Sequence, residues 1–363
     1  MALSAQTLAP SVKPLPPKPN PRATAQAAAR LTRAELSDWV DALGAPEGFL
    51  AYAEVLQLAP RLPPPLSAAE KELDGALAFA VLEHSLMHQL GPNSYPSHSL
   101  RILNLVADPN ADLGELTKLI SQDAALSAAV LKVANSVHYR GVDETETVRD
   151  AVSRLGLTEV ARIGGIVSAR TLFNPKVKAE FASFGPRFNR LFHQSATTSM
   201  GASWLALQKG GARADRVFLA GMLHDVGKSI ALRSLAALMV EKRLPCPLTE
   251  ARTDRVVETV HVEIGAAAHE AWELPSHAVL TCKMHHDEGL GTSGDLVDLH
   301  VLRLASALHL LRSEPGRHPH GSIEVFESAQ ALGFDPLTVR TADTELKRLE
   351  DKATSLYGAN VLR

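Results

Sequence analysis

The chain of 363 residues carries 37 Lys+Arg against 40 Asp+Glu, a formal charge of −3, and is 45% hydrophobic and 21% charged. That is an ordinary globular balance for one or two domains, with no electrostatic reason to expect nucleic acid. Cys246 and Cys282 are too few for a disulfide framework and form no CxxC pair, and no stretch approaches the roughly 18–20 apolar residues of a membrane-spanning helix, so the expected location is cytoplasmic.

Met1 to Thr24 lacks a basic segment followed by an apolar core and is rich in Pro, Ala and Ser, which predicts a mobile tail rather than a secretory signal. From Ala25, helical spacing of Leu31, Leu36, Trp39, Val40 and Leu43 predicts a helix ending at Gly44-Ala45-Pro46. Pro63 to Leu66 reads as a linker. Ser67 and Glu70 form a capping box that opens a helix over Leu73 to Leu90.

Beyond Gly91-Pro92 the chain reads as a run of short amphipathic helices almost without strand-like alternation, so the fold class is all-α. Asp112 caps one helix and Asp123 begins another running through Val137. Val148 to Leu155 forms a helix that Gly156 stops, and Thr158 caps the next.

Eleven of the fifteen histidines lie at His193 or later. Arg216 to Asp225 reads as a core helix that delivers His224 and Asp225 to its end, just before Gly227 stops it. An ionised carboxylate buried there needs a cation, a metal or a hydrogen-bond network. His261 accompanies an apolar stripe of Val257, Val260 and Ile264, with Gly265 admitting a neighbouring helix. A helix from Ser276 ends in His285-His286, and His193 belongs to one beginning near Phe188. Imidazoles and a carboxylate without thiolate suit iron, manganese, zinc, cobalt or nickel rather than calcium, and a pair of such ions would polarise a phosphate and supply hydroxide. A lone histidine on a helix is ordinarily a satisfied core or surface residue, and His269, His277, His300, His309, His318 and His320 are read that way.

The series His193, His224-Asp225-Val-Gly227-Lys228, His261-Val-Glu-Ile-Gly265 and His285-His286 resembles the HD superfamily of helical metal-dependent phosphohydrolases, with the spacing of its HD-GYP branch. Upstream, Ile120-Ser-Gln-Asp123, Asn135-Ser136 and Asp150-Ala-Val-Ser-Arg-Leu155-Gly156 are similar to the HDOD family, the HD-related output domain of bacterial signalling proteins. The likeness spans about Ser94 to Leu311. It implies a multi-helix HD-like array in which His193, His224, Asp225, His261, His285 and His286 are metal ligands, Asp225 bridges, and Lys228 lies near phosphate. The chain departs from the phosphohydrolase pattern at Asn189 and Ser306, where acidic residues are expected, and lacks the Gly-Tyr-Pro signature after the paired histidines. Asp295 or Asp298 is a candidate to replace the ligand missing at Ser306.

The expected organisation is a tail (1–24), an N-terminal helical extension (25–93), an HDOD domain (94–311) divided near residue 186, and a C-terminal helical extension (312–363). Three functions follow from the resemblance. The first is a regulatory protein acting through signalling partners, with one divalent transition metal in a degenerate site. The second is a phosphohydrolase acting on a nucleotide or cyclic dinucleotide, using Asp225 and Lys228. A third is a nucleotide-binding module without turnover. Dispersed Lys and Arg and only 5% aromatic residues disfavour nucleic acid.

Overall fold

The computed structural model describes residues 33–43, 45–56, 65–90, 97–108, 110, 112–141, 143–291, 293, 296–313 and 321–357. The expected tail, the linker residues Pro63 and Pro64, Asp295, His318 and His320 lie outside these. Among the described residues there are fifteen helices and no strand. In chain order they are α1 (Arg33–Leu43), α2 (Phe49–Leu56), α3 (Ala68–His88), α4 (Ser97–Ala107), α5 (Leu113–Ser121), α6 (Ala124–Ala134), α7 (Val148–Phe173) and α8 (Lys178–Lys209). There follow α9 (Ala214–Leu223), α10 (Val226–Val240), α11 (Glu250–Ala271), α12 (Ser276–Met284), α13 (Val297–Ser313), α14 (Gly321–Leu332) and α15 (Pro336–Tyr357).

Local chemistry sets many of the boundaries. At α3, Ser67 accepts from the Glu70 amide while the Glu70 carboxylate accepts from the Ser67 amide at 3.0 Å, which closes the capping box. Asp112 accepts from the amides of Gly114 and Glu115, and Asp123 from that of Leu126 at 2.9 Å, so α5 and α6 begin where their caps are. α6 stops at Ala134, earlier than expected, and Val137 stands 80% exposed in the following turn. The Asn135 side chain holds that turn by donating to the Thr145 carbonyl at 2.9 Å and accepting from its amide at 2.8 Å. Gly156, at φ +76° and ψ 165°, interrupts α7 as expected, in a conformation that favours glycine.

Two expectations are corrected. α8 begins at Lys178, well before Phe188, and carries Pro186 in its interior. Gly227 does not end the His224-Asp225 helix; α9 has already ended at Leu223, and Gly227 lies in the first turn of α10. Its missing side chain serves a crossing, because a Cβ there would collide with the His261 carbonyl and lie 2.7 Å from the Gly265 amide nitrogen. Gly265 accommodates Cys282 Sγ in turn, so α10, α11 and α12 meet over two glycines.

Two apolar cores are built. The larger joins α3 to α12 around residues such as Leu77, Ile102, Val130, Phe188, Leu223 and Ile264. The second gathers α1, α2, α13, α14 and α15 with the C-terminal part of α8, around Leu36, Phe49, Leu205, Leu304 and Phe326. N- and C-terminal helices thus share one core: Tyr52 and Phe326 stack edge to face at 5.2 Å, and the Tyr52 hydroxyl donates to the Phe334 carbonyl at 2.6 Å. Helices α8 and α9 contribute to both cores and set one against the other. No helix among the described residues is long and apolar enough to cross a membrane.

Candidate metal centre

Consecutive residues inside a helix point about 100° apart, but His224 and Asp225 occupy the break between α9 and α10. There His224 Nε2 comes within 3.4 Å of Asp225 Oδ2. The close α10–α11 crossing brings His261 in, and the C-terminus of α12 supplies His285. His261 Nε2 and His285 Nε2 each stand 3.5 Å from Asp225 Oδ1 and 3.3 Å from one another. All three residues are buried. The ligand atoms of Asp225, His261, His285 and His286 lie within 4.8 Å of one another.

The histidines are oriented from behind. Nδ1 of His224 lies 2.9 Å from the Gly221 carbonyl, that of His261 2.6 Å from the Glu258 carbonyl, and that of His285 2.8 Å from the Cys282 carbonyl. A carbonyl only accepts, so a neutral ring in each case places its proton on Nδ1 and its lone pair on Nε2. Burial, the largest influence, keeps these rings neutral, lowering His224 to about 4 and His261 to about 3, and it also lowers His285. His261 Nε2, His285 Nε2 and Asp225 Oδ1 therefore form a small triangle of acceptors. Among the described residues Asp225 Oδ1 has no hydrogen-bond donor.

Three lone pairs facing one another in a buried space repel unless a cation lies between them. Ligands held about 2.0–2.1 Å from a tetrahedral ion stand roughly 3.3–3.4 Å apart, close to the spacing of this triangle. His286 completes the set. Its Nδ1 meets Glu324 Oε1 from α14 at 3.0 Å, while its Nε2, 3.7 Å from Glu258 Oε1, has no hydrogen-bond partner among the described residues. A carboxylate behind an imidazole is the usual outer support of a metal-binding histidine.

Lys228, in the first turn of α10, lies 3.1 Å from Asp225 Oδ2 and 3.0 Å from Glu258 Oε2. Burial alone would lower its pKa, but the two carboxylates outweigh burial and raise it, so the ammonium stays charged. Burial likewise pushes Asp225 up, and the charged Lys228, the largest opposing influence, overcomes this to hold the carboxyl well below its usual range.

Other expected site residues go elsewhere. His193 is not brought to this cluster. Its Nε2 meets Thr354 Oγ1 of α15 at 3.2 Å, in a group with His309 and Glu350. Ser306 does reach the centre, its Oγ 3.4 Å from His224 Nε2, and so puts a neutral hydroxyl on that flank. Asn189 accepts from Arg170 at 2.8 Å. Asp298 accepts from the Arg213 amide at 2.9 Å, at the N-terminus of α9, and does not replace the ligand missing at Ser306. Cys282 is buried with its thiol pushed by burial to about 12, and it donates to the His224 carbonyl, so it plays a packing role. Sequence reasoning missed Glu258 and Glu324. Glu258 lies one turn before His261, a spacing that could have flagged it; Glu324 is 38 residues from its partner and has no local signal.

A bundle of helices that gathers imidazoles around one carboxylate defines the class, that of all-helical proteins with a candidate metal centre. The HDOD domain family model matches residues 93–288, more than half of the chain, which therefore belongs to that family. An uncharacterized protein of Treponema pallidum is 27% identical over 203 residues, 53% of this chain. The chain spans 37% of the length of that relative.

Among solved structures, an HDOD domain protein of unknown function from Geobacter sulfurreducens is similar at a TM-score of 0.54 and 22% identity, covering 78% of this chain and 98% of its own. A protein from Shewanella amazonensis described as a candidate metal-dependent phosphohydrolase is similar at 0.53 and 21%, over 75% and 99%. A candidate signal transduction protein from Marinobacter aquaeolei gives 0.52 and 20%, over 92% and 67%. At these identities the likenesses speak for the fold.

Proposed function

We propose that this HDOD protein is a cytoplasmic signalling module that acts through protein partners and holds one divalent transition metal at Asp225, His261, His285 and His286. The observation that carries the reading is the acceptor triangle of Asp225 Oδ1, His261 Nε2 and His285 Nε2, spaced 3.3–3.5 Å. Three imidazoles and a carboxylate suit iron, manganese, zinc, cobalt or nickel. A second ion beside Asp225 would have to draw on the His224 flank, where Ser306 brings no charge and His193 is engaged elsewhere. One ion without its pair fits a structural or sensory role better than fast phosphodiester cleavage. Residues 94–311 are the functional unit in this reading, with α5 to α7 as the partner-facing region.

The test is metal content of the full chain beside His261→Ala, purified identically. Loss of one equivalent per chain in the variant is the expected result; equal metal in both overturns the reading.

A phosphohydrolase is the second reading, and Lys228 favours it: a charged ammonium 3.1 Å from Asp225 Oδ2 stands where it would contact a phosphate brought to that carboxylate. A bound metal would supply Lewis acidity there. Nucleotide and cyclic dinucleotide esters are the substrates to screen, with wild type beside Ser306→Asp, which adds a carboxylate on the His224 flank. Turnover by the wild type would overturn the non-enzymatic reading. Activity in Ser306→Asp alone would show that the missing ligand limits catalysis, and inactivity of both supports the signalling module.

A further inference from the structure

We infer that His193, His309 and Glu350, presented by α8, α13 and α15, form a second divalent transition-metal site that fastens the C-terminal helix to the body of the protein. Their ligand atoms lie within 4.8 Å of one another. His309 is 1% exposed, and among the described residues neither of its ring nitrogens has a hydrogen-bond partner. An imidazole buried so completely, with Nε2 unsatisfied and Nδ1 facing only a carboxylate oxygen at 3.5 Å, is costly, and a cation bound by one of the two nitrogens removes part of that cost.

Glu350 supplies the negative charge. Its Oε2 lies 3.5 Å from His309 Nδ1 and accepts from Arg312 at 3.0 Å, and a carboxylate oxygen has a second lone pair to offer an ion. The Arg312 charge is shared with Asp343, to which it also donates, so it does not by itself cancel Glu350. His193 brings the second imidazole, with Thr354 Oγ1 on its Nε2 at the edge of the same group. Two imidazoles and one carboxylate form a donor set suited to zinc, cobalt or iron.

The position on α13 explains why the group forms. His309 lies one turn beyond Ser306, the residue that meets His224. Where a carboxylate is missing at Ser306, α15 delivers one a turn further along, and His193 turns toward it rather than toward Asp225. The site belongs to this chain's C-terminal helix, which lies beyond the residues matched by the HDOD family.

A protonated His309 paired with Glu350 is the competing explanation, and metal counting separates the two. The full chain is stripped with a chelator, reloaded with Zn²⁺, desalted and analysed for metal as wild type, Glu350→Gln, His261→Ala and the double variant. Two equivalents, one, one and none are expected. Glu350→Gln retaining as much zinc as wild type overturns the site, and so does His261→Ala retaining none. If His261→Ala keeps the wild-type content while Glu350→Gln loses one equivalent, the Asp225 centre fails and this site stands. Hydrogen exchange guards against misfolding of a variant: in the His261→Ala protein, Zn²⁺ should slow exchange in α15, and unchanged exchange there overturns the proposal.

Discussion

Gly227→Ala should destabilise the protein and loosen the candidate centre, whereas Gly75→Ala, an identical change in another helix, should stabilise it. Alanine in a helix interior gains roughly 0.5–1 kcal/mol over glycine when nothing obstructs the methyl group. At Gly75, exposed on α3, nothing lies within 4 Å of the added Cβ, so that gain should appear in full. At Gly227 the Cβ meets the His261 carbonyl, its carbon at 2.8 Å and the Gly265 nitrogen at 2.7 Å, where real Cβ contacts essentially never fall below 3.0 Å. These are backbone atoms of α11 and cannot rotate aside, so α10 and α11 must part by an amount on the order of an ångström.

Overpacking typically costs about 1–3 kcal/mol, and a rigid backbone neighbour puts this site at the upper end. Net of the helix gain, the loss should be about 2 kcal/mol. Urea unfolding followed by circular dichroism should show a lower midpoint for Gly227→Ala and a higher one for Gly75→Ala. Parting the two helices also carries His261 away from Asp225, now 3.5 Å apart, so zinc affinity should fall in the first variant and hold in the second. A Gly227→Ala protein as stable as wild type, with unchanged zinc affinity, would refute the crossing as the reason for glycine.

Asp74→Asn should lower stability by about 2–3 kcal/mol, because the Asp74 carboxylate on α3 accepts from Arg252 at 2.8 Å and from Arg255 at 2.6 Å on α11, and only 14% of its side chain is exposed. The Arg255 hydrogen bond, followed by burial acting the other way and by Arg252, leaves the folded pKa below 3.8. A depressed carboxyl stabilises fully above its unfolded pKa and loses that contribution as pH falls through the folded value. The wild type should therefore exceed Asp74→Asn by a constant margin at neutral pH and by a shrinking one below about pH 4; a margin that grows on acidification would contradict this. Glu324→Gln should weaken zinc at the Asp225 centre by about 10–100-fold, the usual effect of removing a carboxylate behind a ligating imidazole. Unchanged affinity in a chelator competition would show that His286 is not a ligand or needs no support.

What could be read from sequence was local. The caps at Ser67, Asp112 and Asp123 are hydrogen bonds between residues two or three apart, and the break at Gly156 is a property of a single residue. Gathering Asp225, His261 and His285 needs only the order of helices that the family resemblance supplies. Gly227 reads in sequence as a helix stop, but a helix stop and a tight helix crossing both call for glycine, and only the neighbour 34 residues away, His261, distinguishes them. His309 reads in sequence as a satisfied core histidine, and nothing near it indicates that its Nε2 has no hydrogen-bond partner among the described residues. Glu324 and Glu350 sit in amphipathic helices where a carboxylate ordinarily faces water.

Those two carboxylates change what the C-terminal helices are for. α14 and α15 share an apolar core with α1, α2 and α13, which would be reason enough for them to pack. Packing alone does not require Glu324 to lie 3.0 Å from His286 Nδ1, nor Glu350 and Thr354 to face His309 and His193 across α15. Each contact places an acceptor or a charge against a histidine of the HD-like pattern or its immediate neighbour on α13. Buried imidazoles are expensive when unpaired, so helices that bring carboxylates to them would be coupled to whatever occupies the centre. Metal loading, or a partner that draws α15 away, would then be felt at both ends of the same circuit: through Glu324 at His286 and through Glu350 at His309, one turn from the serine that meets His224. In the signalling role proposed above, that coupling would give the chain a physical means to report the state of its centre on its own surface.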